Sequence, residues 1–159
     1  MDSVKNYCSM TQEQKDLLLK DLCARLPYEV KFRYKYIDGL FREKYGISTL
    51  TGVRLPYHIE HHTRCGNEYL KIEKDEIKPY LFPLSSMTEE QWIDTPYANL
   101  NKYTFDSFKC GCSTLAFETY EVNLSYVVEF INWCYKNHFD IHGLIPMGLA
   151  IDATGLNIY

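Results

Sequence analysis

The chain has 159 residues, 46% of them hydrophobic and 24% charged, with a formal net charge of −4. That size suits one domain, residues 1–159, able to bury a core without metal or disulfide staples. The acidic balance excludes the overall basic footprint of a general nucleic-acid binder, and no apolar run approaches the roughly 18 residues of a membrane span.

The N-terminal stretch MDSVKNYCSMTQEQKD has no apolar h-region, so no secretory signal is expected. Thr11, with Gln14 three residues on, forms a capping box that opens a first helix. Leu18, Leu19, Leu22, Cys23 and Leu26 follow at helical spacing until Pro27 ends it. In YEVKFRYKYI, Val30, Phe32, Tyr34 and Tyr36 alternate with Glu29, Lys31, Arg33 and Lys35, the pattern of a half-exposed strand. Asp38-Gly39 predicts a hairpin turn into a strand over 40–45, and Gly46 separates that from another over 47–55. A second hairpin joins 57–64 to 68–74 through Gly66-Asn67, and a last strand over 77–82 is confined to an edge or a bulge by Pro79.

Thr88 and Gln91 cap a short helix, with Met87 placed to staple onto Trp92. The stretch 95–122 mixes loop-like and strand-like pieces. A final helix follows with Leu124, Val127, Val128, Ile131, Cys134, Tyr135 and His138 on one face and Asn137 as its stop. The expected class is α+β: an antiparallel β-meander or small open barrel of about five strands, flanked by an N-terminal helix and C-terminal helices.

Six cysteines are present, and Cys23 and Cys134 fall in helical patterns. Most of the six read as small buried hydrophobes in a reducing compartment. The 14 tyrosines suit the core and rim of a β-rich domain, or an interface.

Three groups of residues carry candidate chemistry. Lys31, Arg33 and Lys35, continued across the hairpin by Arg42 and Lys44 with Tyr57 nearby, form a basic face for an anionic ligand such as a nucleotide or nucleic acid. A charged outer face is also what any half-exposed strand needs. In PYHIEHHTRC, a strand puts His58, Glu60 and His62 on one face, with Ile59, His61 and Thr63 on the other. His58 and His62 would lie about 13 Å apart, too far to share one zinc ion. One of them with Glu60, Cys110 and Cys112 makes a possible zinc set, although Cys-x-Cys departs from the usual ligand spacing. Asp140 and His142 could line a pocket, but a structural role is the expectation for them. His61-x-Thr63 matches half of the paired signature of 2H phosphoesterases and lacks its mate. No nucleophile elbow, P-loop or dinucleotide fingerprint occurs, so no catalytic residue is assigned.

The phrases LLLKDLCARLPYEVK, IKPYLFPLSSMTEE and WCYKNHFDIHGLIPMGLAID resemble an uncharacterised protein family of phages and mobile elements of gut Bacteroidales. The resemblance covers roughly the first thirty residues, 72–90 and 123–152. It implies a mobile-element gene expressed in a bacterial cytoplasm and brings no active-site motif. The histidine segment and the Cys110–Cys112 triplet lie outside it. The expectation is a non-enzymatic accessory protein that binds a host factor, nucleic acid or nucleotide, with a possible counter-defence role. No membrane is involved and no resident cofactor is expected, while homo-oligomers remain open. The alternatives are a zinc-binding domain or metal-dependent hydrolase, and a structural or assembly protein.

Overall fold

The computed structural model describes residues 10–63, 66–96, 98, 105 and 124–159. Helix α1 (Gln12–Arg25) begins at Thr11, whose hydroxyl accepts the Gln14 N–H while the Gln14 side chain returns to the Thr11 N–H. Leu18 and Leu22 are buried, as the helical spacing predicts, whereas Cys23 is exposed rather than buried. The four other cysteines lie outside the described residues.

Strands β1 (Lys31–Ile37), β2 (Glu43–Arg54), β3 (His58–Thr63) and β4 (Gly66–Lys71) form an antiparallel meander. β5 (Lys78–Pro83) returns to the free edge of β1 and pairs in parallel with the short β6 (Phe139–Asp140) and β7 (Ile151–Asp152). The sheet order is β4-β3-β2-β1-β5-β6, with β7 also on β5. The fold is therefore α+β, with a mostly antiparallel sheet that stays open among the described residues.

Three local expectations change. The strands read as 40–45 and 47–55 are one strand, β2, because Gly46 lies in mid-ladder opposite Tyr34. A Cβ at Gly46 would stand 2.7 Å from the Tyr34 ring, so this glycine makes room for a side chain and does not break a strand. Gly66 and Asn67 belong to β4, opposite Thr63 and His62, and not to a turn. β5 is interior, and its Pro79 is tolerated because the β1 ladder there is only Phe32↔Pro79 and Arg33↔Lys78.

Helix α2 (Glu89–Ile93) carries the expected capping box from Thr88 to Gln91, and Met87 and Trp92 share a buried cluster with Phe130, Cys134 and Phe139. Helix α3 (Leu124–Lys136) ends one residue before Asn137. Its predicted face divides: Cys134 and Tyr135 are buried, but Leu124 and Val128 are exposed. The large aromatic rings set the buried side instead, with Trp133 stacked between Phe130 and Phe139. Burial pushes the Cys134 thiol up to about 12.

A second core lies between α1 and the sheet, built on Leu18, Leu22, Phe32, Leu50, Ile59 and Leu81 with Leu144 and Leu149. The two cores meet at a buried ion pair. Arg25 reaches Asp21 with two nitrogens, at 2.7 and 3.0 Å, and donates to the carbonyl of Phe139 at 2.7 Å. Asp140, also buried, accepts the N–H groups of Leu144 and Ile145, both at 2.8 Å, and so fixes the turn after β6. No helix among the described residues is long and apolar enough to cross a membrane.

Candidate binding hairpin

The β1–β2 hairpin projects beyond its neighbours. β5 meets β1 only at Phe32 and Arg33, and β3 meets β2 first at Leu50. Asp75 and Glu76 still hold the base of the hairpin at Lys35 and Tyr45, and His61 packs on Tyr34, so among the described residues the two-stranded arm that projects is 36–44. Asp38 builds its tip: its carboxylate accepts the N–H of Leu40 at 2.8 Å and of Arg42 at 3.0 Å, and its carbonyl accepts the Phe41 N–H at 2.9 Å. The Arg42 backbone N–H, followed by the Lys44 ammonium, holds the Asp38 carboxyl down to about 2. Phe41 sits at φ 59, a left-handed backbone unusual for a bulky residue, and its side chain is thrown outward. Phe41 is 92% exposed, Leu40 69% and Ile37 67%; behind them on β2, Tyr45 is 52% and Ile47 54% exposed. A cluster of large apolar side chains on a turn reverses the usual polar chemistry of loops.

The predicted basic face looks different in three dimensions. Register places Lys31, Arg33 and Lys35 on one face, while Lys44 lies opposite Tyr36 on the other and Arg42 stands in the turn. Each of the five cations has a contact within the chain, although the buried Arg33 Nε has no hydrogen-bond partner among the described residues. Lys35 lies 2.9 Å from Glu43 and 3.2 Å from Glu76, and these contacts hold its ammonium above the ordinary lysine range. Arg33 stacks on Tyr45 at 4.5 Å, Lys31 donates to the carbonyl of Ile158, and Arg42 and Lys44 each approach Asp38 at 3.0 Å. Tyr57 lies beyond the opposite end of β2, where its hydroxyl donates to Asp16 at 2.6 Å and ties the β2–β3 turn to α1. The structure does not gather these residues into one anion site.

β3 presents His58, Glu60 and His62 on its outer face, and buries Ile59 and His61 behind it, as the alternation predicts. The His58 Nδ1 pairs with the Pro56 carbonyl at 2.8 Å. The His62 Nδ1 pairs with the Asn67 amide oxygen at 2.9 Å, and the Asn67 amide donates to Glu60. Cys110 and Cys112 lie outside the described residues. Among the described residues, no group of three or more His, Cys, Asp or Glu is placed to hold a metal ion.

His61 forms a constellation that sequence spacing did not reveal. Its Nδ1 lies 2.9 Å from the Ser48 hydroxyl, and its Nε2 faces Glu68 at 3.8 Å, too long for a hydrogen bond. The ring packs 5.0 Å from Tyr34 and 5.9 Å from Phe32. A hydroxyl, an imidazole and a carboxylate thus follow one another across three strands. Ser48, however, sits within a continuous ladder and not on an exposed turn.

Burial lowers the pKa of His61, His138 and His142, that of His138 to about 4. A histidine kept neutral in the fold contributes stability above its unfolded pKa of about 6.5, and that stability is lost as pH falls. The melting temperature should therefore drop between pH 6.5 and 4. After allowance for its partial exposure, His138 should account for on the order of 1 kcal/mol of the loss. Thermal melts at pH 7.5 and 5 should differ less in His138→Gln than in the parent, and equal differences would refute the assignment.

No family model, no curated protein and no solved structure matches this chain. The functional reading therefore rests on the arm. Its signal was visible as Ile37, Leu40 and Phe41 crowded around Asp38-Gly39, where a simple hairpin would carry polar residues.

Proposed function

We propose that this chain is a non-enzymatic accessory protein of a phage or mobile element, acting in a bacterial cytoplasm as a binding module that grips a host protein through the β1–β2 arm. Counter-defence is the role such an interaction would serve. The observation that carries the reading is the exposure of Ile37, Leu40 and Phe41 on a turn fixed by Asp38. Apolar anchors of this kind dominate the energetics of protein interfaces. The internal pairing of Lys35, Arg42 and Lys44 favours a protein over a nucleotide or nucleic acid, because a phosphate would have to displace a carboxylate already in place.

Leu40→Asp with Phe41→Asp should weaken partner capture about 30-fold or more, on the scale of a two-residue hot spot. The melting temperature should stay within about 2 °C, since both side chains are exposed. Quantitative affinity purification of the parent and the variant from the bacterial host checks this. Capture undiminished by the tip variant but abolished by Lys31→Glu with Arg33→Glu would move the site to the basic face.

A further inference from the structure

Residues 154–159 cross the seam between β1 and β5. After β7, the Ala153 N–H still donates to the Leu81 carbonyl on β5 at 2.8 Å. Beyond that point the Leu156 and Ile158 N–H groups turn back to the carbonyls of Ala153 and Leu156. The segment is tied down again at Ile158, whose carbonyl accepts from the Lys31 ammonium, and at Tyr159, whose hydroxyl enters the seam. β1 and β5 pair at Arg33↔Lys78 and Phe32↔Pro79, so Lys31 and Tyr80 would form the next rung. The Tyr159 hydroxyl stands in that rung, accepting the Lys31 N–H at 3.1 Å and donating to the Tyr80 carbonyl at 2.8 Å. Its ring lies flat on the His138 imidazole, with centroids 3.9 Å and planes 11° apart, and 5.9 Å from Phe82. Burial pushes the phenol up to about 12.

We infer that this segment is a strap that opens and closes on the β1–β5 seam, with the Tyr159 ring as its latch and uncharged His138 as the catch. The device is independent of the arm. The surroundings of His138 keep it neutral while the strap is closed. Its Nδ1 is buried without a hydrogen-bond partner among the described residues. An imidazolium carries an N–H on both ring nitrogens, so protonation would leave an unmatched donor there. Nearby charges oppose it as well: Arg25 on α1 and Lys31 on β1 both disfavour a cation at His138. The neighbouring carboxylates are already committed, Asp21 to Arg25 and Asp140 to the Leu144 and Ile145 N–H groups. The Tyr135 hydroxyl on α3 is paired with His142. A tyrosine face attracts cations, but the Tyr159 ring already has the Lys31 ammonium 5.8 Å from its centroid. Lifting the strap admits water to the imidazole and relieves each of these costs. Acid should therefore open it.

The closed strap holds His138 down to about 4, and the open strap returns it toward the free value of about 6.5. The opening constant should therefore rise as pH falls through that window, by about 100-fold in all once partial exposure is discounted. Fluorine NMR of the full chain with fluorotyrosine at position 159 reads this directly. Between pH 7.5 and 4.5 the resonance should move from a buried position toward that of free fluorotyrosine, with the far-UV circular dichroism unchanged. His138→Phe keeps a flat ring under the latch but takes no proton, and should hold the strap closed at both pH values; His138→Gln serves if the phenylalanine variant does not fold. The coupling must also run in reverse. Tyr159→Ala should raise the NMR titration midpoint of His138 by about one pH unit or more. A fluorine signal that stays buried while His138 takes its proton overturns the inference. So does a His138 midpoint unmoved by Tyr159→Ala, or equal opening in the variants that cannot be protonated. Loss of circular dichroism in step with the fluorine change would also overturn it, because the strap would then have no motion of its own.

Discussion

Asp21→Ala is expected to lower stability by about 3–5 kcal/mol, the cost of leaving a buried charge uncompensated. For a chain of this size that is a fall in melting temperature on the order of 10 °C. Asp21 and Arg25 are both fully buried, one turn apart on α1, and the guanidinium also reaches the carbonyl of Phe139 and packs 5.0 Å from the Tyr135 ring. Removing the carboxylate leaves the arginine with carbonyls alone in an apolar setting. Replacing both residues, Asp21→Leu with Arg25→Met, should recover a large part of the loss, because the desolvation of two charges disappears with them. Thermal melts of the single and double variants check this. A single variant as stable as the parent would mean that the pair does not fasten α1 to the α3–β6 corner.

Asp140→Ala should be nearly as damaging, by about 2–4 kcal/mol, because the N–H groups of Leu144 and Ile145 would each lose their acceptor inside the fold. Asp140→Asn keeps one acceptor oxygen and should lose about half as much. Urea denaturation of the two variants separates these values. If Asp140→Ala is neutral, the turn after β6 is held by something other than this carboxylate.

Much of the architecture was legible because it is written in local chemistry. The capping boxes at Thr11 and Thr88 and the alternation through Lys31–Ile37 each depend on residues a few positions apart. The structural role expected for Asp140 follows from its two backbone partners. What escaped was set by distant contacts. Gly46 looks like a break until the Tyr34 ring is placed over it from the facing strand. Leu124 and Val128 continue an apolar stripe, yet the aromatic stack around Trp133 turns them to solvent. The burial of Asp21 and Arg25 depends on Phe139, which arrives from the far end of the chain. The five cations of the expected basic face are divided and paired internally for a related reason. Spacing places cations on strands, but the neutralising carboxylates of Glu76, Glu43 and Asp38 depend on register and on the turn before β5.

The arm was partly legible in the same way. Its apolar residues were plain in the sequence, but their exposure depends on where β3 and β5 stop pairing with β2 and β1.

Site-specific photo-cross-linking from the arm is the most direct test of its role. The photoreactive residue p-benzoylphenylalanine would replace Phe41 in one variant and Leu55, also exposed and beyond the far end of β2, in another. Both would be irradiated inside the bacterial host. A discrete adduct with a host protein at position 41, and none at position 55, is the predicted result. An adduct at position 55 with none at position 41 would contradict the account and place the binding surface at the other end of the strand.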